Sequence, residues 1–302
     1  MNRIMTIISN IILDYFRYIT NSLCYLFSRK AILLNAWVDI KYAKLQHRNW
    51  GDDINIYLIE MLSNRKVIIR NQSLFHKISR KVNYICIGSI LGWYENKYSE
   101  IWGAGFISVD ATLKAKPKKV YSVRGKYTRQ KLLDMGVDCP ESYGDPALLM
   151  SILYKPNVSI KYRVGFIPHY IDYENDSLNE YLSIHTDCIK ISLKNYKQWT
   201  DVIDQICSCD IILSSSLHGI IVADSYNIPN VWISLSNNIY GGNFKYLDYF
   251  SSVGRDDFAP YLVNNISDID YILSQKTIYK NKAKIDFQSI LNSCPFASKV
   301  GY

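Results

Sequence analysis

Three short segments carry side chains whose type and spacing suit work on an anionic substrate. In Ile211-Ile-Leu-Ser-Ser-Ser-Leu-His-Gly-Ile220 an apolar strand pattern runs into three hydroxyl residues. Ser214, Ser215 and Ser216 can N-cap the helix that follows and leave its first N–H groups facing outward. Such a helix start favours a bound phosphate or carboxylate. His218 falls in the first turn, where a bound anion would raise its pKa and the helix dipole would lower it. Gly219 beside it allows close backbone approach. A histidine near a helix start is also a common structural feature, and spacing alone leaves both readings open. In Val123-Arg124-Gly125 an arginine ends a strand pattern and precedes a helix, placed either to hold a phosphate or carboxylate bidentately or to cap the surface. In Asn49-Trp-Gly-Asp-Asp53 a glycine turn opens a helix with Asp52 and Asp53 in its first turn. These residues suit either N-terminal charge complementation or hydrogen bonding to sugar hydroxyls. His169 follows a strand pattern at Pro168, again at a cleft edge.

Elements that could position these residues are legible from residue 31 onward. Apolar β-type runs (Ala31–Val38, Val67–Arg70, Tyr84–Ile87, Ile101–Gly105, Lys119–Val123) alternate with helical patterns, the last of which, Tyr127–Met135, closes at Gly136. A second series follows Lys155-Pro-Asn157, with strands at Tyr162–Ile167, Cys188–Ser192, Asp210–Leu213 and Val231–Ile233. Helices are expected at Trp199–Cys207 and Leu217–Tyr226. Two blocks of β/α alternation imply an α/β chain of two Rossmann-like, doubly wound domains facing each other across a cleft, residues 31–156 and 157–302. Ligands of such sheets sit beyond the carboxyl ends of the strands, where all three segments fall.

The composition of the 302-residue chain, 48% apolar and 21% charged, excludes a disordered chain. Its 35 basic and 27 acidic residues give a net charge of +8, suited to anionic substrates or an anionic membrane face. Lys and Arg are scattered without a five-residue run, so nucleic acid is not an expected partner. The seven cysteines show neither a disulfide framework nor zinc-ribbon spacing and read as reduced thiols in the cytoplasm. No Walker A loop, G-x-G-x-x-G, G-x-S-x-G or H-E-x-x-H occurs, and no metal site is expected. Residues 1–30 form an amphipathic helix, with Ile4, Ile7, Ile8, Ile11, Tyr15, Tyr18, Ile19 and Leu26 on one stripe. Its basic residues are Arg3, Arg17, Arg29 and Lys30. Asp14 and Arg17 keep each apolar run below the ~18 residues of a spanning helix. The stripe therefore either packs on the protein's own core or lies on the inner face of the cytoplasmic membrane.

Taken in order, Asn49-Trp-Gly-Asp-Asp-Ile-Asn55, Ile101-Trp-Gly-Ala-Gly105, Val123-Arg-Gly125, Gly144-Asp-Pro-Ala-Leu148, Gly165-Phe-Ile-Pro-His169, Ser214-Ser-Ser-Leu-His-Gly219 and Phe244-Lys-Tyr-Leu-Asp-Tyr-Phe250 form a set that resembles the polysaccharide pyruvyl transferase family. Its members serve bacterial exopolysaccharide and capsule synthesis, and the resemblance covers about residues 31–260. It implies a fold similar to the two-Rossmann, GT-B-type glycosyltransferases. It also implies phosphoenolpyruvate as donor, no cofactor, and a hexose of a glycan precursor, polyprenyl-linked carriers included, as acceptor. The implied product is a cyclic pyruvate ketal bridging two sugar hydroxyls. The family's donor-site arginine, histidine and lysine match Arg124, His218 and Lys245, with Ser214, Ser215, Ser216 and Gly219 around the donor. Many members carry arginine two residues before the histidine, where this chain has Ser216. His218 is the expected acid–base residue; Asn49, Gly51, Asp52, Asp53 and His169 are expected to hold the acceptor. Two other readings fit the same pattern: a nucleotide-sugar-dependent glycosyltransferase and a glycan-binding module without catalysis.

Overall fold

In a computed structural model that describes residues 2–27, 31–41, 44–73, 80–275 and 282–296, the alternation becomes two five-stranded sheets in which every strand pair is parallel. The first part of the chain contains α1 (Asn2–Phe27), β1 (Ile32–Asn35), an antiparallel pair β2 (Ile40–Lys41) and β3 (Lys44–Leu45), α2 (Trp50–Ser63) and β4 (Val67–Ile69). It continues with β5 (Asn83–Ile85), β6 (Ser99–Trp102), β7 (Lys119–Ser122), α3 (Lys126–Asp134), a 3₁₀ turn at Pro146–Leu149 and α4 (Met150–Leu153). The second part contains β8 (Tyr162–Ile167), α5 (Asp176–Ile184), β9 (Cys188–Lys190), α6 (Trp199–Cys207), β10 (Cys209–Ser214) and α7 (Leu217–Ser225). It closes with β11 (Asn230–Ser234), α8 (Phe244–Val253), β12 (Tyr261–Leu262), α9 (Ile266–Ser274) and α10 (Phe287–Asn292).

The two sheets are wound identically. Their strand orders are β4-β1-β5-β6-β7 and β12-β11-β10-β8-β9. In each, the first strand has the second on one side and the third on the other, so the winding direction reverses between the first and third strands. Connections leaving those two strands diverge and open a crevice at their carboxyl ends. That places the segments after β1, β5, β8 and β10 where a ligand belongs.

Period-two alternation explains why these runs are strands buried on both faces. Val164, Phe166, Ile211, Leu213, Val231 and Ile233 face a cluster completed by Leu178, Tyr181 and Ile269, while Ile167, Ile212 and Trp232 face the opposite way. The latter share one core with Ile32, Leu34, α2, the 3₁₀ turn and α7. A further cluster (Ile85, Ile101, Phe106, Val120, Leu132) covers the outer face of the first sheet. The sequence reading misses α5, α8, α9, α10 and β12, and it places most strand ends one to three residues off.

The apolar stripe of α1 does not pack on the core along its length. Its end is docked on described residues: Asn21 and Ser22 are buried, and Cys24 packs near Leu33 and Ile68. Ile4, Ile7, Ile8, Ile11 and Tyr15 are 45–66% exposed. Arg29 and Lys30 of the expected basic flank lie outside the described residues, as do the side chains of Arg3 and Leu26. No described helix is long and apolar enough to cross a membrane.

One buried ion pair joins α8 to the end of β7. Arg124 and Asp248 are both fully buried, with Nε donating to Oδ2 at 2.9 Å. Asp248 also accepts from the Thr128 N–H (2.8 Å) and hydroxyl (2.7 Å), so it caps α3 from another element. Gly125 leaves room for this approach; a Cβ there would overlap the Asp248 backbone. Asp248→Ala strands a buried guanidinium and uncaps α3, and should cost about 3–5 kcal/mol of stability. A urea midpoint near that of the parent would show that the ion pair contributes little.

Candidate active site

A cavity of about 180 Å³ opens at the reversal points of both sheets. Its wall takes Trp37 from the segment after β1, Ser89 and Ile90 from that after β5, His169 and Tyr170 from that after β8, and Ser216 and His218 from the start of α7. Asn49 and Asp52 come from the start of α2, and Lys245 from α8. Trp37, Arg48, Asn49, Tyr170 and Lys194 also line an outer pocket of about 450 Å³, together with Asp39, Asp53, Asn71 and Tyr94.

The start of α2 is held by the second half of the chain. Trp50 N–H donates to the Leu193 carbonyl (2.8 Å), its indole donates to the Trp199 carbonyl (2.7 Å), and Tyr196 donates its hydroxyl to Asp53 (2.8 Å). Gly51 is thereby pressed against His218, and a Cβ at Gly51 would overlap the imidazole ring. Nδ1 lies on the Gly51 side, and Nε2 is shielded from solvent without a hydrogen-bond partner in the described residues. Burial, with Lys245 and Arg124 adding to it, holds the His218 pKa down at about 3. At neutral pH the ring is uncharged and able to accept a proton.

The serines do not cap α7 through their side chains, contrary to the expectation. Ser216 is the N-cap residue but makes no such bond. Ser214 Oγ instead accepts from Ser216 N–H (3.0 Å) and donates to the Ile167 carbonyl (3.0 Å), while Ser215 Oγ accepts from the His169 N–H (2.8 Å). Ser214, Ser215 and Gly219 thus stand behind the wall and fix its loops, and Ser216 alone of the four lines the cavity. A helix start without a side-chain cap keeps its dipole directed at the pocket.

Lys245 is 8% exposed and forms no ion pair or hydrogen bond among the described residues. Burial and Arg124 lower its pKa to about 8, against the opposing pull of Asp52. A nearly buried ammonium without a counter-ion is costly unless an anion joins it. Asp52 is buried as well and accepts a short hydrogen bond from the Asn49 amide. Burial, then Asp53, raises its pKa to about 8; Asp145 adds to this and Lys245 opposes it. Asp53 rises to about 6 through burial, and Asp145 to about 7 for the same reason.

Arg124 stands behind the wall rather than in it. Its guanidinium donates to Asp248, to the Phe106 carbonyl (2.6 Å) and to Ser89 Oγ (2.5 Å), and only through Ser89 does it reach the cavity. His169 does line the cavity, with a pKa lowered to about 4 by burial and by Lys245 and Lys194. Asp53 faces the outer pocket instead. Sequence reasoning misses Trp37, Ser89, Trp93, Tyr170, Lys194 and Tyr240, which come from separate loops with no local pattern. Asp248 was within reach, as a charge one turn beyond Lys245 in an aromatic-rich helix. Among the described residues no group of His, Cys, Asp or Glu is arranged to hold a metal ion.

Comparison with known proteins identifies a family and relatives of this chain. The sequence model of the family described as "Polysaccharide pyruvyl transferase" matches residues 10–237. An uncharacterised protein of Acanthamoeba polyphaga mimivirus is 31% identical over 241 residues, 74% of this chain and 79% of its own. The succinoglycan biosynthesis protein ExoV of Rhizobium meliloti is 27% identical over 223 residues, 70% of this chain and 64% of its own, just under two thirds of that relative's length. No solved structure matches the chain. With most of its length matched, including every residue of the cavity wall except Tyr240 and Lys245, the chain belongs to the polysaccharide pyruvyl transferase family.

Proposed function

We propose that this protein transfers the pyruvyl group of phosphoenolpyruvate to two hydroxyls of a hexose in a polysaccharide precursor, forming a cyclic ketal and releasing phosphate. The observation that carries the reading is Lys245, a buried ammonium without a counter-ion in a pocket that also receives the start of α7. A small polyanion supplies the missing charge, and the helix start adds N–H groups for its oxygens. Arg124 contributes by fixing Ser89 and by its field, and the neutral His218 accepts a proton from an attacking hydroxyl. The outer pocket, with Trp37, Tyr94 and Tyr170, suits the acceptor, since aromatic faces and polar edges are what a sugar ring presents a need for. The identical winding of the two sheets supports a two-domain, GT-B-like arrangement of residues 31–156 and 157–302 about this pocket. The family membership and the similarity to a succinoglycan biosynthesis protein support a polysaccharide as the setting.

The exposed apolar face of α1 supports a second element of the proposal, peripheral docking on an anionic lipid surface. An amphipathic helix of 26 residues with Ile4, Ile7, Ile8 and Ile11 exposed can lie in the interface without spanning it. Such docking would bring the enzyme to lipid-carried acceptors.

Three outcomes are expected. His218→Ala should retain the parent's circular dichroism and thermal midpoint while losing phosphate release from phosphoenolpyruvate, by roughly 10²–10⁴-fold. Turnover at the parent's rate would remove His218 from the mechanism, and consumption of a nucleotide sugar instead of phosphoenolpyruvate would identify a glycosyltransferase. Donor affinity should depend on pH through Lys245, which is charged below about 8 and neutral above it. Binding of phosphoenolpyruvate should therefore weaken as pH rises past about 8, approaching about tenfold per pH unit. Lys245→Met should bind about 10–100-fold more weakly at pH 7 and lose this dependence; titration calorimetry across pH 6.5–9.5 decides, and equal affinity in both proteins would place the donor elsewhere. Full-length protein should float with vesicles containing anionic phospholipid, and replacing Ile4, Ile8 and Ile11 together by Asp should abolish flotation. A parent protein that stays at the bottom of the gradient would exclude the docking.

A further inference from the structure

The ketal reaction needs a proton donor for the methylene carbon of the donor, and the arrangement of the pocket limits which group can serve. His218 has Nδ1 against the backbone of Gly51 and a bare Nε2, with two cations, Lys245 and Arg124, acting on it. A ring held uncharged in this way carries no acidic proton to deliver to carbon. Lys245 is the counter-charge of the donor, and Arg124 is committed to Asp248, Phe106 and Ser89. His169 carries a proton poorly between Lys245 and Lys194. Asp52 remains. It lines the same cavity, one residue along α2 from the glycine that supports the His218 ring. Among the described residues no arginine or lysine forms an ion pair with it; its partner on Oδ2 is the neutral Asn49 amide. Oδ1 sits beside Gly88, where a Cβ would come within 3.0 Å of it.

We propose that Asp52 is the general acid of the reaction, delivering its carboxyl proton to the methylene carbon of phosphoenolpyruvate while His218 acts as the base. This assignment rests on the ketal-transfer reading. The charged and titratable groups around Asp52 are Asp53 on its own helix, Asp145 before the 3₁₀ turn, Tyr94 from the segment after β5, His218 beyond Gly51 and Lys245 on α8. Burial and the two neighbouring carboxyls outweigh Lys245 and keep the proton on Asp52 at neutral pH. A bound polyanion adds to this hold.

The protons and electron pairs balance. The π pair of the donor's double bond takes the Asp52 proton, making the methyl group and leaving the adjacent carbon electron-deficient. The first hydroxyl oxygen bonds to that carbon, and its proton passes to His218. The carbon–oxygen bond to phosphate then breaks, with the electron pair leaving on phosphate, and the second hydroxyl oxygen takes the vacated place. Its proton restores Asp52, and the proton on His218 departs with the phosphate. One hydroxyl proton is thereby transferred, through Asp52 over successive turnovers, to the methyl group and the other to inorganic phosphate.

Asp52→Asn and Asp52→Glu separate this role from acceptor binding. With wild-type enzyme in deuterium oxide, the ketal methyl should gain one deuterium per turnover, and kcat should fall at alkaline pH as the acid loses its proton. Asp52→Asn should bind phosphoenolpyruvate within about threefold of the parent while kcat drops roughly 10²–10⁴-fold, the range of one general acid, with the alkaline limb gone. Asp52→Glu should recover part of kcat together with that limb, which a purely structural contact would not do. Unchanged kcat in Asp52→Asn, or a loss confined to the acceptor KM, overturns the assignment while leaving the ketal-transfer reading intact. If Asp52→Asn does not fold, an Asp52→Glu enzyme with parental kcat but no alkaline limb overturns it equally. Wild-type enzyme that releases no phosphate from phosphoenolpyruvate overturns both.

Discussion

The contact on which the site depends is the one between the bare Cα of Gly51 and the imidazole of His218. It sets the first turn of α2 against the first turn of α7, two helices that follow different sheets. No side chain can intervene there, so the distance between the helix starts is fixed by backbone and ring alone. Trp50, Tyr196 and the Leu193 carbonyl hold α2 in that position through bonds that cross from one half of the chain to the other. The motif around Gly51 and the one around His218 are therefore two sides of a single packing contact.

Around that contact the winding of the sheets decides what else arrives. Each sheet reverses direction between its first and third strands, and the carboxyl ends of those four strands carry Trp37, Ser89, His169 and Ser216 to one cavity. Strand pattern and strand end were legible in the sequence, because alternation with period two needs only local residues. Hence Ser216, His218, Asn49, Asp52 and His169 were recognisable as residues at one mouth. Trp93, Lys194 and Tyr240 were not, because a loop residue reaches the cavity only through the path of its loop.

Burial is the second quantity that sequence alone did not deliver. Val123-Arg124-Gly125 reads equally well as an anion clamp or a surface cap, and in the folded chain Arg124 is neither. Three of its five donors go to Asp248, the Phe106 carbonyl and Ser89, one layer behind the wall. The serines of α7 behave similarly: they were expected to cap the helix and instead tie its loop to β8 and His169. In both cases a polar side chain buried without water must find protein partners, and those partners, rather than a ligand, take up its hydrogen bonds.

The electrostatic logic of the pocket follows from the same burial. Arg124 and Asp248 neutralise each other inside the protein, which removes one charge of each sign from the account of the cavity. Lys245 is then a cation with no anionic partner among the described residues, and Asp52, Asp53 and Asp145 are carboxyls that burial drives toward the neutral form. On the proposed reading an ionised Asp52 would repel an anionic donor; with its proton retained, the field of Lys245 and the α7 dipole is left to act. A carboxyl that holds its proton near an anion is also one that can give it up to carbon when charge develops there. On the proposed reading desolvation serves binding and proton supply together, and the surroundings of Asp52 and Lys245, each shifted toward the other's range, make the two compatible in one small cavity.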